Sequence, residues 1–219
     1  MAVLMIVGCQ TKQGTGTIIG AGGGAVLGGV IGNIIGKDSK ATAIGAAIGS
    51  AVGAGAGTLI GRHMDKVAAE AAAQVENATV EEVTDANGLK AVKVTFDSGI
   101  LFAVNKAELN AASKTNLAKF STVLKNHPDC YVDIYGHTDS TGNDGINIPL
   151  SNSRAQSVVS YLKDCGVQAS QFKNIEGKGS SEPVADNATK EGQQQNRRVE
   201  VYLYAGQEMI DAANAGTLQ

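Results

Sequence analysis

CYVDIYGHTDSTGNDGINIPLSNSRAQSVVSYLKDCG, residues 130–166, holds the pattern that decides the fold. Tyr131 to His137 is expected to be a β-strand, bounded by Gly136 and a polar run. Ser151 is expected to cap a helix whose Ala155, Val158, Val159 and Leu162 recur at helical spacing and face inward, with Gly166 ending it. Between strand and helix runs a loop of Gly, Asn, Ser and Thr. Asp139 follows the strand end, and Arg154 falls in the first turn of the expected helix. A charge at each end of a polar loop is either ordinary surface or two halves of one grip on a ligand that carries both charges.

Working outward, TVEEVTDANGLKAVKVTF (79–96) alternates about Asn87-Gly88, the strongest short-range hairpin signal. Ile100 to Val104 is expected to be a short strand. The stretch 110–128 is a helix, with Asn110 as its cap, Leu117, Phe120 and Leu124 on one face, and Pro128 past its end. A strand over Phe172–Glu176, a short helix at Thr189–Gln195 and the strand RRVEVYLY (197–204) complete the region. Helices alternating with strands imply an α+β domain: a mixed β-sheet with helices packed on one face. Its expected extent is 77–206, followed by a C-terminal tail, 207–219.

The N-terminal third has a different character. Sixteen of the 28 glycines fall between Gly14 and Gly61. Gly16, Gly20, Gly24, Gly28, Gly32 and Gly36 repeat every four residues, and the period resumes at Gly45, Gly49, Gly53, Gly57 and Gly61. A step of four drifts only about 40° on an α-helix, so the glycines line a slowly winding groove. Each uncharged block has the roughly 20 residues that span a bilayer, and the groove suits small-xxx-small packing. A phosphate-binding loop would need a compact motif after a strand, and a flexible linker would be Ser-rich rather than filled with Ile, Val, Leu and Ala. The expectation is an α-helical glycine-zipper hairpin over 10–61 with a polar tip at Lys37–Lys40. A helical connector, 62–76, then presents Met64, Val67, Ala68, Ala71, Ala72 and Val75 at helical spacing. Residues 1–9 end in Ile6-Val7-Gly8-Cys9, which is similar to a bacterial lipobox within a truncated signal. Cys9 is there the lipidated residue, and membrane lipid a partner.

Aromatics make up 4% of the chain, Trp is absent, and net charge is −3. That balance argues against a nucleic-acid binder relying on phosphate neutralisation. Catalysis finds no constellation: no Ser or Cys sits in a nucleophile context. His127, before a proline at a helix end, is expected to be exposed, and neither it nor His63 has an evident partner to complete a metal set. His137 is expected to hydrogen-bond the loop. No cofactor and no metal are expected.

IYGHTDSTG, NIPLSNSRAQSV and NRRVEVYL, in this order and spacing, resemble the three signature segments of the OmpA-like peptidoglycan-binding family across about Val94 to Tyr204. The resemblance implies a βαβαβ domain that binds the meso-diaminopimelate residue of the peptidoglycan stem peptide, with Asp139 on its ammonium and Arg154 on its carboxylate. Asn147 and Leu150 match positions supplying an amide and an apolar wall, and Arg197 matches an Arg near the ligand site. Family members often carry Phe-Asp where this chain has Phe102-Ala103, a departure that removes one carboxylate. The upstream Cys and zipper are similar to those of outer-membrane lipoproteins of the same family. The implied protein is a non-enzymatic tether between outer membrane and wall, facing the periplasm. Its rivals are a zipper homo-oligomer or pore held in place by the wall domain, and a wall hydrolase. Cys130 opens a strand and Cys165 ends the helix running back against it. A disulfide is expected, closing a loop of about 35 residues and worth about 2–4 kcal/mol.

Overall fold

The computed structural model describes residues 52–53, 55–97, 101–103 and 105–218. Cys9, the arm Gly16–Gly36 and the tip Lys37–Lys40 lie outside the described residues, as do residues 100 and 104 of the expected short strand.

Five strands form one mixed sheet in the order β1-β2-β5-β3-β4. Strands β1 (Ala78–Thr84) and β2 (Lys90–Asp97) make the expected hairpin. Asp85 Oδ1 accepts from the backbone N of Asn87 at 2.9 Å and of Leu89 at 2.8 Å, while Gly88 takes φ +79°. β2 and β3 (Cys130–Gly136) flank β5 (Arg198–Ala205) antiparallel, and β4 (Phe172–Gly177) joins β3 in parallel.

β5 is buried along all eight residues. Val199, Val201, Leu203 and Ala205 join the main core with Cys130, Val132 and Ile134 of β3. On the opposite face Tyr202 and Tyr204 form a second cluster with Val83, Ala91 and Tyr135. The helices lie against the first face: α1 (Ala56–Gln74), α2 (Ala111–Asn126) and α3 (Asp144–Asp164) all contribute to that core. Asn110 caps α2 as expected, accepting from Ser113 N at 2.9 Å. Phe120 of α2 meets Phe96 of β2 edge to face, ring centroids 5.6 Å apart.

Several expectations are corrected. The second zipper arm, Gly45–Gly61, is not one continuous helix where it is described. Gly55 takes φ +93°, which no α-helix accommodates, and α1 starts immediately after it. The segment expected to be a connector is core structure instead. Ile60, Met64 and Val67 of α1 are wholly buried, each contributing on the order of 1.5–3 kcal/mol. Residues 207–214 of the expected tail form α5 (Gln207–Asn214), which buries Met209, Ile210 and Ala213 and lies against α1. Among the described residues no helix is long and apolar enough to cross a membrane.

The expected disulfide is absent: Cys130 and Cys165 are free thiols. Cys130 is wholly buried in the main core, whereas Cys165 is half-buried at the end of α3, its backbone N donating to Tyr161 O at 3.0 Å. Burial pushes the Cys130 thiol well above its ordinary pKa.

Two glycines set how close α3 comes to the sheet. A Cβ on Gly136 would stand 2.1 Å from Ser151 O, and one on Gly177 2.2 Å from Asn152 N. The ends of β3 and β4 can therefore meet the backbone of α3 directly.

Candidate functional site

Beyond the end of β3 the chain stays pinned. His137 N donates to Arg198 O at 2.9 Å, and Thr138 N donates to Gly179 O at 2.8 Å. Asp139 follows and is 7% exposed. Its Oδ1 accepts from Thr141 N at 2.8 Å, an Asx turn that shapes the loop. Its Oδ2 accepts from Arg197 Nη1 at 2.5 Å. Burial by itself raises the Asp139 carboxyl, but the bonds from Arg197 and Thr141 outweigh it and hold the group below its ordinary value. Arg197 was expected near the site; its pairing with Asp139 was not.

α3 begins at Asp144 with Asn143 as its N-cap, ahead of the Ser151 start expected from the sequence. Arg154 consequently lies deep in α3, past Pro149, and not in a first turn opposed by the helix dipole. Ser151 instead joins α3 to the loop after β4, its Oγ accepting from Gly179 N at 3.0 Å and donating to Ile148 O at 2.9 Å. Asn147 is buried, its Nδ2 donating to Thr141 O at 3.0 Å and, at a longer 3.4 Å, to Asp139 O. Its amide braces the loop. Leu150 is half-buried on α3 and belongs to neither hydrophobic cluster.

Arg154 is 4% exposed. Nε donates to Lys106 O at 3.1 Å, and the guanidinium carbon stands 5.3 Å from the centroid of the buried Phe102 ring. Among the described residues its Nη groups have no hydrogen-bond partner and no carboxylate forms an ion pair with it. Burial pushes its pKa down, Arg197 pushes it further down, and Asp139 opposes both. The three charges thus act on one another, with two cations around one anion. Ala103, next to Phe102, is exposed and supplies no carboxylate.

Beneath this cluster lies a second, closed one. Glu200 accepts from Arg198 Nε at 2.7 Å and from the Tyr202 hydroxyl at 2.6 Å. His137, wholly buried, is not bonded to the loop as expected; its Nε2 stands 3.6 Å from Glu200 Oε2, an ion-pair separation longer than a hydrogen bond. Burial raises the Glu200 carboxyl, yet His137, Arg198 and Lys93 together drive it far below the ordinary range. Arg198 Nη2 also donates to Glu182 O at 3.0 Å, which holds the loop leading to α4 (Lys190–Asn196).

Residues 101–197, which contain every one of these loop and helix positions, match the model of the OmpA family. They form an OmpA-family domain. Residues 1–65 match a second model, the YMGG-like Gly-zipper, in keeping with the glycine period. The Escherichia coli protein named "Probable lipoprotein YiaD" is 44% identical over 110 residues, covering 50% of this chain and 47% of its own. The outer-membrane lipoprotein YfiB of Pseudomonas aeruginosa is 38% identical, covering 50% of this chain and 65% of its own. The peptidoglycan-binding protein ArfA of Mycobacterium bovis is 42% identical, covering 52% and 34%. The chain thus spans less than two thirds of each of these relatives. Among solved structures, the cell wall anchor of the type VI secretion system of P. aeruginosa aligns with TM-score 0.53 at 29% identity, covering 65% of this chain and 96% of its own. The periplasmic domain of Helicobacter pylori MotB, at TM-score 0.54 and 19% identity over 64% of this chain and 90% of its own, shares the fold of the OmpA-family domain.

Proposed function

We propose that this protein is a non-enzymatic tether. Its OmpA-family domain binds the meso-diaminopimelate residue of the peptidoglycan stem peptide, and a lipidated Cys9 holds it to the outer membrane with the domain in the periplasm. The observation that carries this reading is Arg154, a residue 4% exposed whose guanidinium has no carboxylate partner among the described residues. Buried charges are ordinarily paired. An unpaired Arg fork, held through Nε and backed by Phe102, suits a carboxylate that two parallel hydrogen bonds can grip. The free end of meso-diaminopimelate carries that carboxylate beside an ammonium, and Asp139 is the anion in reach of the same cluster. The ammonium would share Asp139 with Arg197, whose side chain is 36% exposed and has room to turn outward. Without a carboxylate at Ala103, Asp139 bears the amine recognition alone.

Peptidoglycan binding is in the name of one relative, cell wall anchoring in the description of one structural neighbour, and lipoprotein in the names of two relatives. The test is sedimentation of the full chain with purified sacculi. Free meso-diaminopimelate should release the protein; binding unaffected by saturating competitor would place the grip elsewhere. Intact mass of native protein checks the anchor, since an unmodified Cys9 would refute it. The Gly-zipper match favours a second reading, a membrane oligomer or pore positioned by the wall domain. Single-channel conductance of the purified protein separates it from a simple tether.

A further inference from the structure

At the end of the domain formed by α1 and the turn from α2 to β3, three side chains distant in sequence converge. His63 projects from α1, His127 follows the last turn of α2, and Asp129 precedes β3. One ligand atom from each lies within 4.8 Å of the other two. His63 Nε2 stands 3.4 Å from His127 Nδ1 and 3.4 Å from Asp129 Oδ2. The histidine rings are perpendicular, with centroids 5.2 Å apart. His127 was expected to be exposed and neither histidine to complete a metal set; α1 instead brings His63 and Glu70 against His127.

Two magnitudes bear on what this group does. As hydrogen bonds, separations of 3.4 Å are long against the usual N–H···O distance of about 2.9–3.0 Å. As edges of a tetrahedron they fit: ligands at about 2.0–2.1 Å from a zinc ion stand about 3.3–3.4 Å apart. The outer contacts agree. His127 Nε2 meets Glu70 Oε2 at 2.9 Å, and Asn126 Nδ2 donates to Glu70 Oε1 at 2.6 Å. A proton on Nε2, held by that carboxylate, leaves the Nδ1 lone pair of His127 directed at His63. A carboxylate behind a ligating imidazole is the usual way such a ring is oriented and its basicity raised.

The scaffold is rigid. Gln171 Nε2 donates to the carbonyls of Leu124, His127 and Cys130, and Gly206 N donates to Asp129 O at 2.9 Å. Side-chain exposures of 12% for His63, 11% for His127 and 21% for Asp129 leave an entry path from solvent.

We propose that His63 Nε2, His127 Nδ1 and Asp129 Oδ2 bind one zinc-class divalent cation, with Glu70 as the positioning residue behind His127 and water in the remaining position. Two imidazoles and one carboxylate suit borderline transition metals and not Mg²⁺ or Ca²⁺, which take all-oxygen sets. The ion is a clasp joining α1 to the α2–β3 turn. It does not depend on the wall-binding reading, because none of its ligands touches Asp139, Arg154 or Arg197.

The test is titration of chelator-treated full-length protein with CoCl₂, followed by visible absorption. Ligand-field bands should saturate at one equivalent, disappear on adding ZnCl₂, and persist after thiol alkylation, which removes cysteine ligation. One equivalent of ZnCl₂ should also raise the melting temperature. His63→Asn and Asp129→Asn should abolish the bands, and Glu70→Gln should weaken binding about 10–100-fold. All three should sediment with sacculi like the parent. A parent protein with neither bands nor a thermal shift overturns the proposal, whatever the variants do. So does a His63→Asn protein that keeps the parent's spectrum.

Discussion

Replacing Arg154 with methionine separates a ligand grip from a structural ion pair, because the two roles predict opposite signs for stability. Among the described residues Arg154 makes one hydrogen bond, Nε to Lys106 O at 3.1 Å, and stacks over Phe102 at 5.3 Å. The first contributes about 1.5–3 kcal/mol as a charged donor and the second about 0.5–2 kcal/mol. Against these stands the desolvation of a guanidinium buried without a carboxylate partner, several kcal/mol. Arg154→Met keeps the length and the contact with Phe102, removes the desolvation, and frees the carbonyl of Lys106, an exposed residue that water can reach. The urea midpoint should therefore stay level or rise. Sacculus binding should fall by about 1.5–3 kcal/mol, roughly 10- to 150-fold, the scale of a charged hydrogen bond lost. Denaturation and sedimentation on the same preparation give both numbers. A variant destabilised by more than about 2 kcal/mol that still sediments like the parent would mean that Arg154 holds the fold and not the wall.

The Asp139 carboxyl is held below its ordinary value in the folded chain, so its pairing with Arg197 stabilises above the unfolded aspartate value near pH 3.9 and the contribution is lost as pH falls through the folded value. The stability gap between parent and Asp139→Asn, from urea midpoints at several pH values, should close with acid; a gap that widens would refute the pairing. Gly136→Ala would set a methyl 2.1 Å from Ser151 O, costing about 1–3 kcal/mol and weakening sacculus binding, because α3 carries Asn147 and Arg154. In native protein Cys165 should alkylate before Cys130, whose buried thiol is raised well above its ordinary pKa; mass spectrometry after timed iodoacetamide treatment reads the order. Denatured, oxidised protein should still show both thiols.

The hairpin at Asn87-Gly88, the Asn110 cap and the inward face of Ala155, Val158, Val159 and Leu162 were legible because each is a local signal. The early start of α3 was not. Asn143, Gly145 and Pro149 all look like loop residues, yet Pro149 needs only the carbonyl of Gly145 to go unpaired, and Gly145 is exposed. Helix α5 escaped because eight residues cannot sustain a helix by propensity; its Met209, Ile210 and Ala213 are ordered by packing with the core. In the candidate site, Asp139, Asn147 and Arg197 were named from sequence and the structure brings them together. The Phe102 ring behind Arg154 is a long-range contact that spacing along the chain does not encode. His127 shows the same limit, since its neighbours His63 and Glu70 lie 64 and 57 positions away.

Gly53 N donates to the side chain of Asn214 at 2.8 Å across 161 positions, which tethers the first described residues to the end of α5. If the protein is the tether proposed above, pulled between a membrane anchor and a wall ligand, this contact sets the route of the load. Force entering ahead of Gly53 meets the Asn214 contact first and then α1. From there it spreads through the apolar packing of α1 on β2 and α2 and through the links of Asp65 to Lys90, Glu70 to His127 and His63 to Asp129. The central ladders of β5 lie off that line. The weakest link under tension is then the seam beneath Ile60, Met64 and Val67, and α1 should peel away while the sheet and the ligand grip stay whole. A force-extension trace would show one early, small rupture before the main unfolding event.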